Sequence, residues 1–281
     1  GIGLYVLLDK ILQYKQLFQI GCMAVVGIPI LVGLLPNYSR LNMRHYYFTE
    51  EYVTNLFTLA EPNSIIFANW DPFYFPLNYY QYVEGKRPDI LALDQQLLRR
   101  SWYLQWLEDH YPDLYHSLST PIQEFLTAVA PFENGEAFDA NFIQQKYIGM
   151  INAIIEYGMQ HQRAIYFTYV PTPDIAPRYR RDPQFIAYRL KKPEEELDDI
   201  SPNLFSFNSF VNKKAPLDRM AEVFQNYYGK LFLERATQLE SAQRWEEALE
   251  LYNASLKFFP NAPPVRHRIK EKIAILQKLQ N

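Results

Sequence analysis

Residues 64–112 alternate between strand and helix patterns, and that alternation constrains the fold more than any other feature of the chain. "SIIFAN" (64–69) is short, β-branched and aromatic, and turn residues bound it. "FPLNYYQYVEG" (75–85) reads as a helix ending at Gly85, a residue type suited to the left-handed position after a helix. "PDILALD" (88–94) is a second buried strand, and "LLRRSWYLQWLEDHYP" (97–112) is a second helix, stopped by Pro112. Strand, helix, strand, helix implies a parallel βαβ unit, because a parallel neighbour needs a long crossover. A helix is expected over 46–60, with Tyr47, Val53, Phe57 and Leu59 as its apolar positions. Residues 113–138 read as loop and short helix, and 141–162 as a long helix. "AIYFTYV" (164–170) is a third strand, and "PTPDIAPRYRRDP" (171–183) an irregular loop. "QFIAYRLKK" (184–192) is a fourth strand, placed at an edge because it ends in lysines. The acidic run 194–199 reads as a solvated loop. The expected fold class is α/β: a small parallel-sheet, three-layer domain over 46–200.

The N-terminal part reads as membrane. Residues 17–35, "LFQIGCMAVVGIPILVGLL", hold no charge. Nineteen residues at 1.5 Å each span roughly 28 Å, close to the apolar thickness of a bilayer. A transmembrane helix is therefore expected over 16–35, and "GIGLYVLL" (1–8) reads as the end of a preceding membrane helix. Lys10 and Lys15 lie before residues 17–35 and Arg40 and Arg44 after them, so charge alone does not orient the segment. The chain begins with Gly rather than Met and reads as a fragment of a longer protein. A net charge of −3 leaves no nucleic-acid footprint. The single cysteine excludes an internal disulfide, and the five histidines lack metal-ligand spacing, so no metal site is expected.

After residue 215 the texture changes. "RATQLESAQRWEEALELYNASLKFFPNAP" (235–263) fits one tetratricopeptide-like unit, with Ala236, Ala248, Tyr252, Ser255 and Pro260 at the small, small, aromatic, small and proline positions. A further helix follows, with Ile269, Ile273, Leu276 and Leu279 on one face. One such unit cannot bury its apolar face alone, so residues 216–281 must pack on the α/β domain or on a protein partner.

The candidate site is the stretch after the first strand. Seven of the thirteen residues from Trp70 to Tyr82 are aromatic, and one acid, Asp71, sits among them. Ligands of open parallel sheets lie at the carboxyl ends of the strands. Asn69, Trp70, Asp71 and Tyr74 follow the first strand, and Asp94 follows the second, so Asp71 and Asp94 share a crevice if those strands are neighbours. The rings serve either as stacking platforms for a sugar or a lipid headgroup, or as core. Asp71 also suits a helix cap, with Pro72 in the first turn; the two roles are compatible. "ANWDPFYFP" has no glycine, which excludes a dinucleotide or P-loop fingerprint. Glu84, Gly85 and Arg87 are expected to fix the turn into the second strand through hydrogen bonds and a partly exposed ion pair.

The segment from Asn63 to Leu107 resembles the region after the last membrane helices in multi-span proteins that include the transmembrane protein O-mannosyltransferases, relatives of the GT-C glycosyltransferases. The resemblance runs through Pro62, Asn63, Asp71, Phe75, Pro76, Leu77, Tyr80, Gln81, Val83, Glu84, Gly85, Arg87, Pro88, Asp89, Trp102 and Tyr103. It departs at the turn: many relatives carry several acids there, and only Asp71 carries over. The resemblance implies a membrane glycosyltransferase using a polyprenyl-phosphate-linked sugar donor, of which this chain is the C-terminal extracytoplasmic domain. It places 36–281 outside the membrane, in the periplasm or a lumen, and residues 9–15 in the cytoplasm. It also implies that the catalytic loop lies upstream, so no catalytic residue and no cofactor are assigned to this fragment. The partners it implies are the bilayer and a sugar or glycosylated acceptor. A membrane-anchored, non-catalytic interaction module, docking a protein through its C-terminal helices, is the competing reading.

Overall fold

In the computed structural model, residues 3, 5, 6, 9, 16–211 and 218–280 are described. They fall into two units, Gly1–Tyr46 with Asn212–Leu217, and Tyr47–Val211 with Asp218–Asn281.

The first unit contains α1, Gln16–Leu41, one helix of 26 residues. Its length is about 39 Å at the helical rise. Ile20, Val25, Val32 and Leu35 are exposed. Among the described residues no helix is long and apolar enough to cross a membrane. The side chains of residues 16–19, 22 and 36 lie outside the described set, so the uncharged run 17–35 is not continuous within it. The membrane-helix end expected over 1–8 and the loop over 9–15 also lie outside it, apart from residues 3, 5, 6 and 9.

The second unit is mixed α/β. It opens with α2, Phe48–Leu59, which buries Phe48, Tyr52, Val53 and Leu56. The buried stripe thus differs from the expected one, and Tyr47 is exposed. Strand β1 (Ile65–Ala68) leads into α3 (Trp70–Asn78) and a π-helical turn, Tyr79–Val83. Strand β2 (Leu91–Asp94) follows, then a 3-10 turn, Leu97–Arg99. Next come α4 (Ser101–His110), α5 (Pro112–Ser117) and α6 (Ser119–Glu133). The segment expected as loop with a short helix is therefore two helices. Pro112 starts α5, where the absent N–H costs nothing. Helix α7 (Ala140–Gln160) is capped by Asp139, whose carboxylate accepts the N–H groups of Asn141 and Phe142. It leads into β3, Ile165–Phe167. Gly158 in α7 lies against Ile65 and Ile165; a Cβ there would sit 2.5 Å from Ile165 Cδ1.

Two further strands, β4 (Arg180–Pro183) and β5 (Tyr188–Lys191), complete a sheet of order β2-β1-β3-β5-β4. β1 pairs in parallel with β2 and with β3, and β3 pairs antiparallel with β5. The sheet is thus mixed, not parallel as the sequence pattern implies. Only four residues separate β4 from β5, too few for a crossover, so they close as a hairpin through Gln184 N–H to the Ala187 carbonyl (2.9 Å). The segment expected as irregular loop supplies β4, which takes the edge; β5 lies inside. Arginines and a proline belong on an edge strand, and they are also what hides it from sequence inspection.

The acidic run is not solvated throughout. Asp198 accepts the Lys191 ammonium (2.7 Å) and also takes Gln184 and Arg189. Arg180 forks onto buried Asp182 (2.6 and 2.9 Å). Gln238 donates to the same carboxylate (2.8 Å) and accepts from buried Arg235 (2.9 Å). These bonds hold the hairpin to α9, Arg219–Ser241. The Phe185 and Phe232 rings meet there at 4.8 Å, and Tyr188 donates to Glu234 (2.6 Å). Helix α8 (Asn208–Val211) precedes α9. Helix α10 (Trp245–Ser255) packs on α9, and α11 (Pro263–Gln280) packs on α10. The Lys257 ammonium stands 5.0–5.3 Å from the Phe207, Phe232 and Phe258 ring centroids, and burial lowers its pKa.

Candidate functional site

The aromatic turn divides into an inner and an outer set. Asn69 is extended (φ −119°, ψ 97°), and Asp71 (φ −59°, ψ 131°) interrupts helical geometry before the regular part of α3. Phe73, Tyr74 and Leu77 then point inward, while Phe75 (47% exposed), Tyr79 and Tyr82 point out. Phe73 packs on Tyr52 and Phe224 at 5.1 and 5.3 Å. The run of rings therefore serves both readings, core and surface.

Two candidate ligand residues belong to the interior. The Tyr74 hydroxyl lies 2.7 Å from that of Tyr103, and Tyr103 in turn accepts the Asp94 N–H (3.3 Å). Burial raises the pKa of both tyrosines. Asp94 is fully buried, and its Oδ1 accepts the N–H groups of Gln96 (2.7 Å) and Leu97 (2.8 Å). It opens the 3-10 turn. Tyr74, at 2% exposure, offers no face to a ligand.

β1 and β2 are neighbours, as a shared crevice requires, and Ala68 pairs with Asp94. The order β2-β1-β3 nevertheless moves the crevice. The chain leaves β1 for one side and returns from β2 to the other, so the topological switch lies between β1 and β3. There the Asn69 N–H donates to Thr168 Oγ1 (3.3 Å), and the Thr168 N–H donates to the Phe67 carbonyl (3.0 Å). The next residue, Tyr169, has a buried hydroxyl with no hydrogen-bond partner among the described residues. Burial pushes its pKa well up; Tyr147 and Asp94 add to the shift and Arg99 opposes it. Arg99 lies 3.8 Å from the Tyr147 ring centroid and donates to Gln144 (2.9 Å). Asp71 is exposed, and its side chain makes no hydrogen bond among the described residues, so the structure does not show it as a cap. The Trp70 backbone opens α3 directly after Asn69; its side chain lies outside the described residues. The structure thus brings Asn69 to Thr168, leaves Asp71 exposed, and withdraws Tyr74 and Asp94. Thr168, Tyr169 and Arg99 were not singled out in the sequence; a hydroxyl pair inside the strand pattern "AIYFTYV" was the available signal. Among the described residues no group of His, Cys, Asp and Glu could hold a metal ion.

The turn before β2 is more elaborate than its sequence implies. Gly85 has φ +66°, which only glycine adopts freely. Arg87 pairs with Asp89 rather than Glu84. Its Nε and Nη2 donate to Asp89 Oδ1 and Oδ2, both at 3.0 Å. Nη2 also reaches the carbonyls of Ala60 (3.0 Å) and Glu61 (3.2 Å), and Nη1 that of Phe57. Asp89 accepts the Asn63 N–H as well (3.0 Å). Glu84 instead receives the Tyr79 hydroxyl (3.2 Å).

Residues 49–135 match the family described as TMEM260-associated domain 2. Over 79 residues the chain is 30% identical to the mouse protein O-mannosyl-transferase TMEM260. Through this segment the chain is related to transmembrane O-mannosyltransferases. The matched residues are 28% of this chain and 11% of the mouse protein. The family segment holds β1, the aromatic turn and β2 but stops short of β3, so Thr168 and Tyr169 lie outside it. No solved structure matches.

Proposed function

We propose that this chain is the C-terminal extracytoplasmic domain of a membrane glycosyltransferase using a polyprenyl-phosphate-linked sugar, and that the β1/β3 crevice helps hold acceptor or donor sugar. The match of residues 49–135, with the aromatic turn inside it, carries this reading. Sugars present hydroxyls and apolar ring faces. The Asp71 carboxylate and Asn69 amide suit the hydroxyls, and an exposed ring such as Phe75 suits a sugar face. The mouse relative's name makes mannose the first sugar to test. The uncharged run 17–35 within α1 is read as the membrane anchor. The fold that accompanies this reading is a three-layer α/β domain followed by a tetratricopeptide-like unit. In the whole enzyme a carboxylate would activate the acceptor hydroxyl as general base; it is assigned to no residue of this chain.

Titration calorimetry of the chain in micelles, with a short-chain polyprenyl-phosphate mannose and with a mannosylated peptide, tests the proposal. One of them should bind, and Asp71→Asn should weaken that binding without shifting the unfolding midpoint. Absence of binding to both, or wild-type affinity in Asp71→Asn, would contradict the sugar role. The alternative, a membrane-anchored interaction module, draws on the trough between α9 and α11.

A further inference from the structure

Outside the crevice, that trough forms a cavity of about 480 Å³. One wall is a stripe of α9 holding Lys230 and Leu233; the other is a stripe of α11 holding Val265, Arg268, Ile269 and Lys272. The α11 residues are spaced i, i+3, i+4, i+7, so they share one face. Most of the cations rimming the trough come from α11, since on the α9 wall Glu234 stands beside Lys230.

Charge is unevenly distributed in this region. The whole chain carries −3, yet α11 holds Arg266, Arg268, Lys270, Lys272 and Lys278 against one acid, Glu271. The acids near the trough form ion pairs with two of its cations, Lys230 and Lys272. Glu234 accepts the Tyr188 hydroxyl (2.6 Å) and stands 3.7 Å from Lys230. Glu240 accepts Lys272 (2.7 Å) and Tyr252 (2.6 Å). Arg268 is exposed and has no ion pair among the described residues.

We infer that this trough docks an acidic, aliphatic peptide segment of a partner protein. Leucine or isoleucine side chains of the segment cover half-buried Leu233 and Val265, above buried Ile269, and its carboxylates meet Arg268 and Lys230 from opposite walls. The concave apolar floor beside the cationic face of α11 favours a peptide over a flat anionic bilayer, which would meet the charges but not the floor. This inference is independent of the sugar site, because it uses no residue of the crevice.

The test is to pan random dodecapeptides displayed on phage against the full chain held in neutral-lipid nanodiscs. Enriched peptides should combine aliphatic residues with Asp or Glu. Fluorescence anisotropy of the best one, synthesised and labelled, should show affinity falling about tenfold or more in R268E, since like charges face each other across the contact. Replacing the peptide's acids with lysine should restore binding to R268E while abolishing binding to wild type. Enrichment of neutral or basic peptides would overturn the inference. So would unchanged affinity in both R268E and K230E with an unchanged unfolding midpoint. Loss of peptide binding on moving the chain into anionic-lipid nanodiscs would assign the cationic walls to the bilayer and overturn it as well.

Discussion

Replacing Arg87 with alanine removes a clamp between the end of α2 and the entry to β2. The guanidinium holds the carbonyls of Phe57, Ala60 and Glu61 and both oxygens of Asp89. The three carbonyls lie at or just beyond the carboxyl end of α2, where main-chain acceptors lack helical partners. Arg87 and Asp89 side chains are 26% and 31% exposed, so water replaces part of what is lost. Hydrogen bonds that are half-wet contribute about 0.5–1 kcal/mol each, and the ion pair under about 1 kcal/mol, for a total near 2–3 kcal/mol. Arg87 also sits at φ +49°. Arg87→Gly loses the same bonds but relaxes the backbone, so it should be less damaging than alanine by up to about 1 kcal/mol. The assay is urea unfolding of wild type and both variants. pH adds an independent readout. The Arg87 hydrogen bond lowers the Asp89 pKa from 3.8 to about 2. A depressed carboxyl stabilises the fold above its unfolded pKa, and that contribution is lost as pH falls through the folded one. Wild type should therefore lose this increment between about pH 4 and pH 2, and Arg87→Ala should lose less. A destabilisation below about 0.5 kcal/mol in Arg87→Ala, with an unchanged acid limb, would refute the clamp.

Gly229→Ala should destabilise the chain by about 1–3 kcal/mol in the same urea assay, since overpacking forces neighbours apart; a Cβ there would meet Phe259 Cζ, with Cε2 at 2.7 Å and Phe258 Cβ at 3.0 Å. Asp94→Ala should lose about 1–3 kcal/mol and Asp94→Asn less, because Oδ1 accepts two N–H groups and an amide oxygen still can. Tyr169→Phe should leave thermal stability unchanged or raised, since its buried hydroxyl has no partner among the described residues, and a drop of several kcal/mol would show that it has one.

The period and length of the elements made the βαβ unit legible, and the β1, β2 and β3 runs were recognisable as buried. The same property concealed the site. A strand buried on both faces has no alternation, so nothing in "SIIFAN" or "PDILALD" tells which way Asp71 or Asp94 faces. Asp94, which the strand end suggests as a crevice acid, is fully buried, with its Oδ1 accepting the N–H groups of Gln96 and Leu97. Strand β4 was hidden because Arg180, Arg181 and Pro183 look like loop; its partner Gln238 lies more than fifty residues downstream. Arg87 is legible as a turn residue beside Glu84 and Gly85, but its fork onto Asp89 is joined by carbonyls from the end of α2 and the two residues after it, 26–30 residues upstream, which no local pattern shows. Thr168 and Tyr169 became visible as site residues only once the strand order put β3 beside β1.

The central claim is that the rim of the β1/β3 crevice handles sugar while the surrounding network only holds the fold. The most direct measurement is an assay of the full-length protein for the proposed sugar transfer from a polyprenyl-phosphate mannose, comparing wild type with Asp71→Asn at equal unfolding midpoint. Exposed Asp71 makes no hydrogen bond among the described residues, so the substitution should leave stability within about 0.5 kcal/mol. Transfer should fall about tenfold or more, as expected when a charge-assisted hydrogen bond to substrate is removed. Wild-type transfer in Asp71→Asn would contradict the claim and leave this domain a scaffold.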